Sequence, residues 1–279
     1  MARQFLAAAF FALSAFKLGW LVVAPIFLAA EQRRSDAAEA DLRRVCRARQ
    51  PPWALWRRER LAAECSARAL AELRGTQSFP PPSLVLKHQD FPSVLSTHHL
   101  GAAVWCGAGI AQFALRRNSA AERQRHRLVG RLHLLGVALL TAGFVQICRH
   151  DLHFDRDFRA AYADVPARDE REHRLGVLVL CGLQAWFVLT AGKAWAAARA
   201  RRIDAHSAWM VRHVASGMWV VVMRALSLMA NAAVFALGAL GAEPPSGLVK
   251  MRIFAATAVA GTLISLSAGE MFARAAELS

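Results

Sequence analysis

Residues 206–238 read HSAWMVRHVASGMWVVVMRALSLMANAAVFALG. The stretch is long enough to cross a bilayer, since about 20 predominantly apolar residues span a hydrocarbon core of about 30 Å. Its polar residues are not scattered. His206, His213, Gly217, Arg224 and Asn231 stand at offsets 0, 7, 11, 18 and 25, each close to a whole number of helical turns, so they form one stripe on one face. An arginine near the bilayer midplane costs at least about 2.5–3.5 kcal/mol unless it is paired or hydrated. The stripe therefore faces protein, a cofactor or water, and the remaining faces are left for lipid.

Five more apolar stretches accompany it, at 5–30, 94–115, 128–148, 175–198 and 248–273. The chain has 279 residues and is 56% hydrophobic, against about 45–50% in ordinary soluble domains. Six such runs between short basic loops predict an all-α, polytopic membrane protein. It comprises six transmembrane helices in a bundle, with a helical periplasmic hairpin after the first helix. The division is a first transmembrane helix over 1–30, a periplasmic hairpin and proline-rich linker over 31–93, and a five-helix bundle over 94–279. The first stretch exceeds the apolar core of about 7–15 residues in a cleavable signal peptide, so it reads as a retained helix. Lys17, near its middle, has to face the bundle or meet a partner there.

The formal net charge of +15 raises nucleic-acid binding. The charge sits mainly in loops between apolar stretches, where it is a topology signal, and no nucleic-acid partner is expected. Loop 116–127 carries five arginines against one glutamate, and loop 199–207 three against one aspartate. Both therefore read as cytoplasmic. Loop 149–174, with six arginines and seven acidic residues, argues less clearly. Six spans then put both termini in the cytoplasm and residues 31–93 in the periplasm. Arginine supplies 31 of the 35 basic residues and alanine is abundant, the mark of a GC-rich coding sequence. The expected location is a bacterial inner membrane.

Residues 31–49 and 53–73 read as two polar helices joined at Pro51 and Pro52, residues suited to a helix start. Cys46 and Cys65 fall one in each, as a disulfide closing the hairpin or as two unrelated thiols. Trp53 and Trp56 would anchor the pair at the membrane interface. Cys106, Cys148 and Cys181 show no CxxC spacing and read as small packing residues.

The third apolar stretch repeats the histidine spacing of the fifth, with His126 and His133 again seven residues apart. Two turns separate such a pair by about 10 Å, too far to share one ion. Single-helix ligands usually stand three or four residues apart, as in HExxH. Carboxylates are scarce within the spans, Glu270 being the main one, so no mononuclear zinc or di-iron site is expected there. Haem b suits the spacing better, because its iron takes one imidazole from each of two facing helices. His133 and His213 lie at matching depth, and His126 and His206 match at the interface. On the opposite side, His98 or His99 would pair with His150, His153 or His173. Arg224, Arg212 or Arg116 would meet haem propionates. The structural alternative is that these histidines cap helices or satisfy buried hydrogen bonds.

Two other readings compete with electron transfer. A transporter or proton-coupled channel would be lined by Lys17, the buried Arg224 and Glu270, although the broken helices usual in transporters are missing. A non-catalytic subunit of a membrane complex would bind its partners through residues 31–75. No GxSxG elbow, P-loop or Rossmann fingerprint points to a familiar enzyme.

Two blocks carry a family resemblance: QFALRRNSAAERQRHRLVGRLHLLG, containing Gln112, Arg116, His126, Arg127, Gly130 and Arg131, and RIDAHSAWMVRHVASGMWVVVMRAL, containing Asp204, His206, Trp209, Met210, Arg212 and Arg224. They resemble the bacterial membrane proteins grouped as domain of unknown function 2306, over roughly residues 94–240. The resemblance implies a multi-helix inner-membrane fold and no established activity. It places emphasis on His98, His126 and His206, with His133 and His213 particular to this chain.

Overall fold

The computed structural model describes residues 87–115, 119–162 and 164–277, together with scattered positions among the first forty. All regular structure among the described residues is helical. A turn at Pro92–Val94 and a π-helical turn at Leu95–His99 lead into α1, Leu100–Ala114. There follow α2, Ala120–Arg149; a short α3, Phe154–Ala161; α4, Glu170–Arg199; α5, Ile203–Ala239; and α6, Gly247–Glu277. Of these, α2, α4, α5 and α6 are long and apolar enough to cross a membrane. The chain is a multi-pass membrane protein by that measure. The 94–115 stretch is helical but shorter. Of the 5–30 helix and the 31–93 segment, only isolated positions up to Ala40 and residues 87–93 are described; Lys17, Cys46, Cys65, Trp53 and Trp56 lie outside the described residues.

Local chemistry fixes the helix ends. Ser119 and Glu122 form a reciprocal capping box at the start of α2, each side chain accepting from the other's backbone N–H. Asp169 caps α4 by accepting from Arg171 and Glu172. At the other end of α4, Arg201 takes a left-handed φ of 59° and the chain reverses directly into α5. Leucines, valines and tryptophans of α4 such as Leu178, Val179, Leu189 and Trp195 remain exposed. For a bilayer-embedded helix this is the face that meets acyl chains.

The principal packing is α1 on α2, α4 on α5 and α5 on α6. Trp105, wholly buried on α1, ties the first two pairs together. It has room because of two glycines. A Cβ at Gly136 of α2 would stand 2.7–2.9 Å from the Trp105 backbone and Cβ, and one at Gly217 of α5 would stand 2.6 Å from its ring. Around it lie Ala102, Cys106, Val137, Leu140, Phe187, Ala191, Met218 and Val221, with Phe16 of the first stretch against them. A second core forms where α3 folds back on α6: Phe158, fully buried, packs 5.5 Å from Phe254, and Met223 joins from α5. α3 is thus the plug that closes one end of the bundle.

Candidate functional site

Eight of the nine sequence-predicted site residues are among the described residues, but they do not form one site. His133 and His213 do meet, ring centroids 5.3 Å apart and nearly perpendicular. Trp105 organises them. Its indole N–H donates to Nε2 of His213 at 2.9 Å, and its carbonyl accepts from Nδ1 of His133 at 3.1 Å. Nδ1 of His213 donates to the Phe187 carbonyl at 3.1 Å. Both ring nitrogens of His213 are therefore engaged, which fixes its neutral tautomer. A haem between His133 and His213 does not fit this arrangement: the indole occupies the lone pair that iron would need, and the rings already touch. The pair is the hub of a hydrogen-bonded core. Nε2 of His133 is buried without a hydrogen-bond partner.

His126 and His206 sit at the opposite end of the bundle from the α3 plug. The His126 carbonyl accepts from Gln112 at 2.6 Å, and Nδ1 of His206 donates to the Ala194 carbonyl at 2.9 Å, clasping the α4–α5 turn. Arg212 binds Glu270 through two hydrogen bonds of 2.8 and 3.1 Å, reaches Glu277 at 2.8 Å, and lies over the Trp209 ring at 5.0 Å. Glu270 is thereby committed to Arg212, twelve residues or about 18 Å along α5 from Arg224. Arg224 is half-buried near the other end. It lies 6.0 Å from the Phe254 ring and within the fields of Asp157 of α3 and of His99. Asp157, itself 4% exposed, is the nearby carboxylate whose field favours that guanidinium's charge. Arg116 lies outside the described residues.

The chemistry gathers at the α3 end. His98 and His99 stand on the π-helical turn, and His88 approaches them, its Nδ1 2.9 Å from Nε2 of His99. His150 stacks on Phe91 at 4.6 Å. Across the end, the turn after α2 and the first turn of α4 bring Asp151, His153 and His173 together, with one ligand atom from each within 4.8 Å of the others. His153 and His173 meet edge to face at 5.1 Å. Asp155 joins at 3.5 Å from Nδ1 of His173. Asp151 holds a left-handed φ of 51°, a conformation that aspartate tolerates better than most residues and that turns its carboxylate toward α4. Six of the ten histidines of the chain thus lie at this end.

One guanidinium threads the cluster. Arg168 donates to both oxygens of Asp151 at 2.6 and 2.7 Å, and its Nε lies 3.3 Å from Asp155. Nη2 also lies 2.7 Å from the His173 ring nitrogens. The Arg168 hydrogen bonds hold the Asp151 carboxyl below its ordinary range, burial working the other way, and the same contacts push Arg168 further up.

From the sequence, His150, His153 and His173 stand out only as haem partners for His98 or His99, and Asp151 and Asp155 only as loop charge. The Asp-x-His spacing at 151–153 was the one local signal. The twenty residues before His173 hid the rest, because α3 folds out of the way between them. Compared with known proteins, the chain matches no family model, no curated protein and no solved structure.

Proposed function

We propose that this membrane protein binds a divalent transition-metal cation at Asp151, His153 and His173, on the histidine-rich end of its bundle. The observation that carries the reading is the convergence of two imidazoles and a carboxylate from two separate segments, with Asp155 within reach. Two histidines and one carboxylate are the donor set of open zinc sites and of ferrous facial triads. Ligand atoms around a tetrahedral zinc lie about 3.4 Å apart, from metal–ligand bonds of about 2.0–2.1 Å. Side-chain rotation over about 1 Å would therefore close the present spacing. By the positive-inside argument this end faces the periplasm, where such a site meets external metal. Half-buried Arg224 and buried Asp157 lie at the same end of the bundle, which suits a protein that senses, delivers or passes on the charge it binds.

This reading takes the place of electron transfer through haem b at His133 and His213, three of whose four ring nitrogens are engaged by core hydrogen bonds. Titration of the purified full chain in detergent with zinc chloride, followed by calorimetry, tests it. One zinc per chain is expected, with affinity falling at least about tenfold in Asp151→Asn and in His173→Ala. Equal binding by all three proteins, or none by the wild type, would reject the site.

A further inference from the structure

Resting on that metal reading, we infer that Arg168 is a tethered competitor: its guanidinium and a metal ion occupy the same ligands in turn. Three observations lead here. The guanidinium touches both oxygens of Asp151, the ring of His173 and the carboxylate of Asp155, so it engages three of the four groups that a cation would use. A guanidinium is much larger than a metal ion, and the ligand spread of up to 4.8 Å matches a cluster held open around it. Arg168 also has a route to solvent: it precedes the first turn of α4, and its side chain is 23% exposed. Arg159 is positioned to keep Asp155 paired meanwhile, at 2.8 Å, while its Nε donates to the Pro166 carbonyl two residues before Arg168.

Two exclusive states follow. In one, Arg168 neutralises the cluster and ties the 164–169 segment to the turn after α2. In the other, the metal takes the ligands and the guanidinium swings to solvent, while Arg159 on the Pro166 carbonyl and the Leu248 N–H on Asp164 keep the segment ahead of α4 in place. Occupancy of the site is thereby converted into exposure of the Arg168 guanidinium, a readout that a partner protein at this surface can detect. The competitor also sets a threshold, since only a metal that binds these ligands better than an ion pair does will displace it.

The test is cobalt(II) and zinc(II) titration of the full chain in detergent, comparing wild type with Arg168→Gln and Arg168→Ala. Both variants are expected to bind at least about tenfold more tightly, which is 1.4 kcal/mol. Adding His173→Ala to Arg168→Gln should abolish the gain. If wild type binds metal and the Arg168 variants bind no better, the competitor role is wrong and the metal site stands. If no protein binds, both fail. A second readout needs no substitution: phenylglyoxal should modify Arg168 faster in the zinc-loaded wild type than in the metal-free protein, as mapped by mass spectrometry. Equal or slower modification would overturn the exchange.

Discussion

Trp105→Phe tests the hub of the bundle most sharply. The substitution keeps an aromatic ring but removes the donor that satisfies Nε2 of His213, and both residues are wholly buried. Interhelical hydrogen bonds in membranes average about 0.6 kcal/mol and reach about 1.7 kcal/mol. This one lies at the upper end because no water reaches it, so about 1–1.7 kcal/mol is expected from the bond. The smaller ring leaves a void of roughly 40 Å³, worth about 1 kcal/mol more. The total is about 2–3 kcal/mol, read from SDS-induced unfolding in mixed micelles. A double-mutant cycle with His213→Leu isolates the bond: the two losses should fall short of additivity by about 1 kcal/mol or more. Coupling below about 0.3 kcal/mol would refute the claim that the indole–imidazole bond organises the core.

Gly136→Ala forces a methyl against the Trp105 backbone and should cost about 1–3 kcal/mol by the same assay, whereas Gly176→Ala, with open space around it, should change stability by less than about 0.5 kcal/mol. Asp157→Ala removes the buried carboxylate whose field reaches Arg224 and is expected to destabilise by about 1–3 kcal/mol; combining it with Arg224→Met should recover most of that loss, and an equal or greater loss in the double variant would separate the two residues. Ser119→Ala breaks the capping box of α2 and should lower stability by about 1 kcal/mol, seen as a small drop in thermal midpoint.

The spans from 128 onward were legible because hydropathy acts locally, and a lipid-facing helix must satisfy every backbone group within itself. The polar stripe of α5 was legible too: His213, Gly217 and Arg224 do face protein. What fills that face was not. His213 meets an indole 108 residues away, and its pairing with Trp105 depends on Gly136 and Gly217 clearing a path for one ring. Equal depth of His133 and His213 correctly brought the two together, yet depth says nothing about whether a lone pair remains for a metal. The Asp151–His153–His173 cluster escaped for a different reason. Its residues stand in the turn after α2 and the first turn of α4, separated by α3, and their approach depends on how Phe158 docks against Phe254. The sequence shows that Arg224 needs a partner, and the field of Asp157 reaches it from that same docking helix.

X-ray absorption at the zinc edge of the loaded, detergent-purified chain tests the central claim most directly. The metal reading predicts a first shell of nitrogen and oxygen at about 2.0–2.1 Å, with the outer-shell scattering of two imidazoles. Loss of one imidazole is expected in His153→Ala. A shell containing sulfur at about 2.3 Å, or an imidazole signal unchanged by that substitution, would place the metal elsewhere and contradict the account.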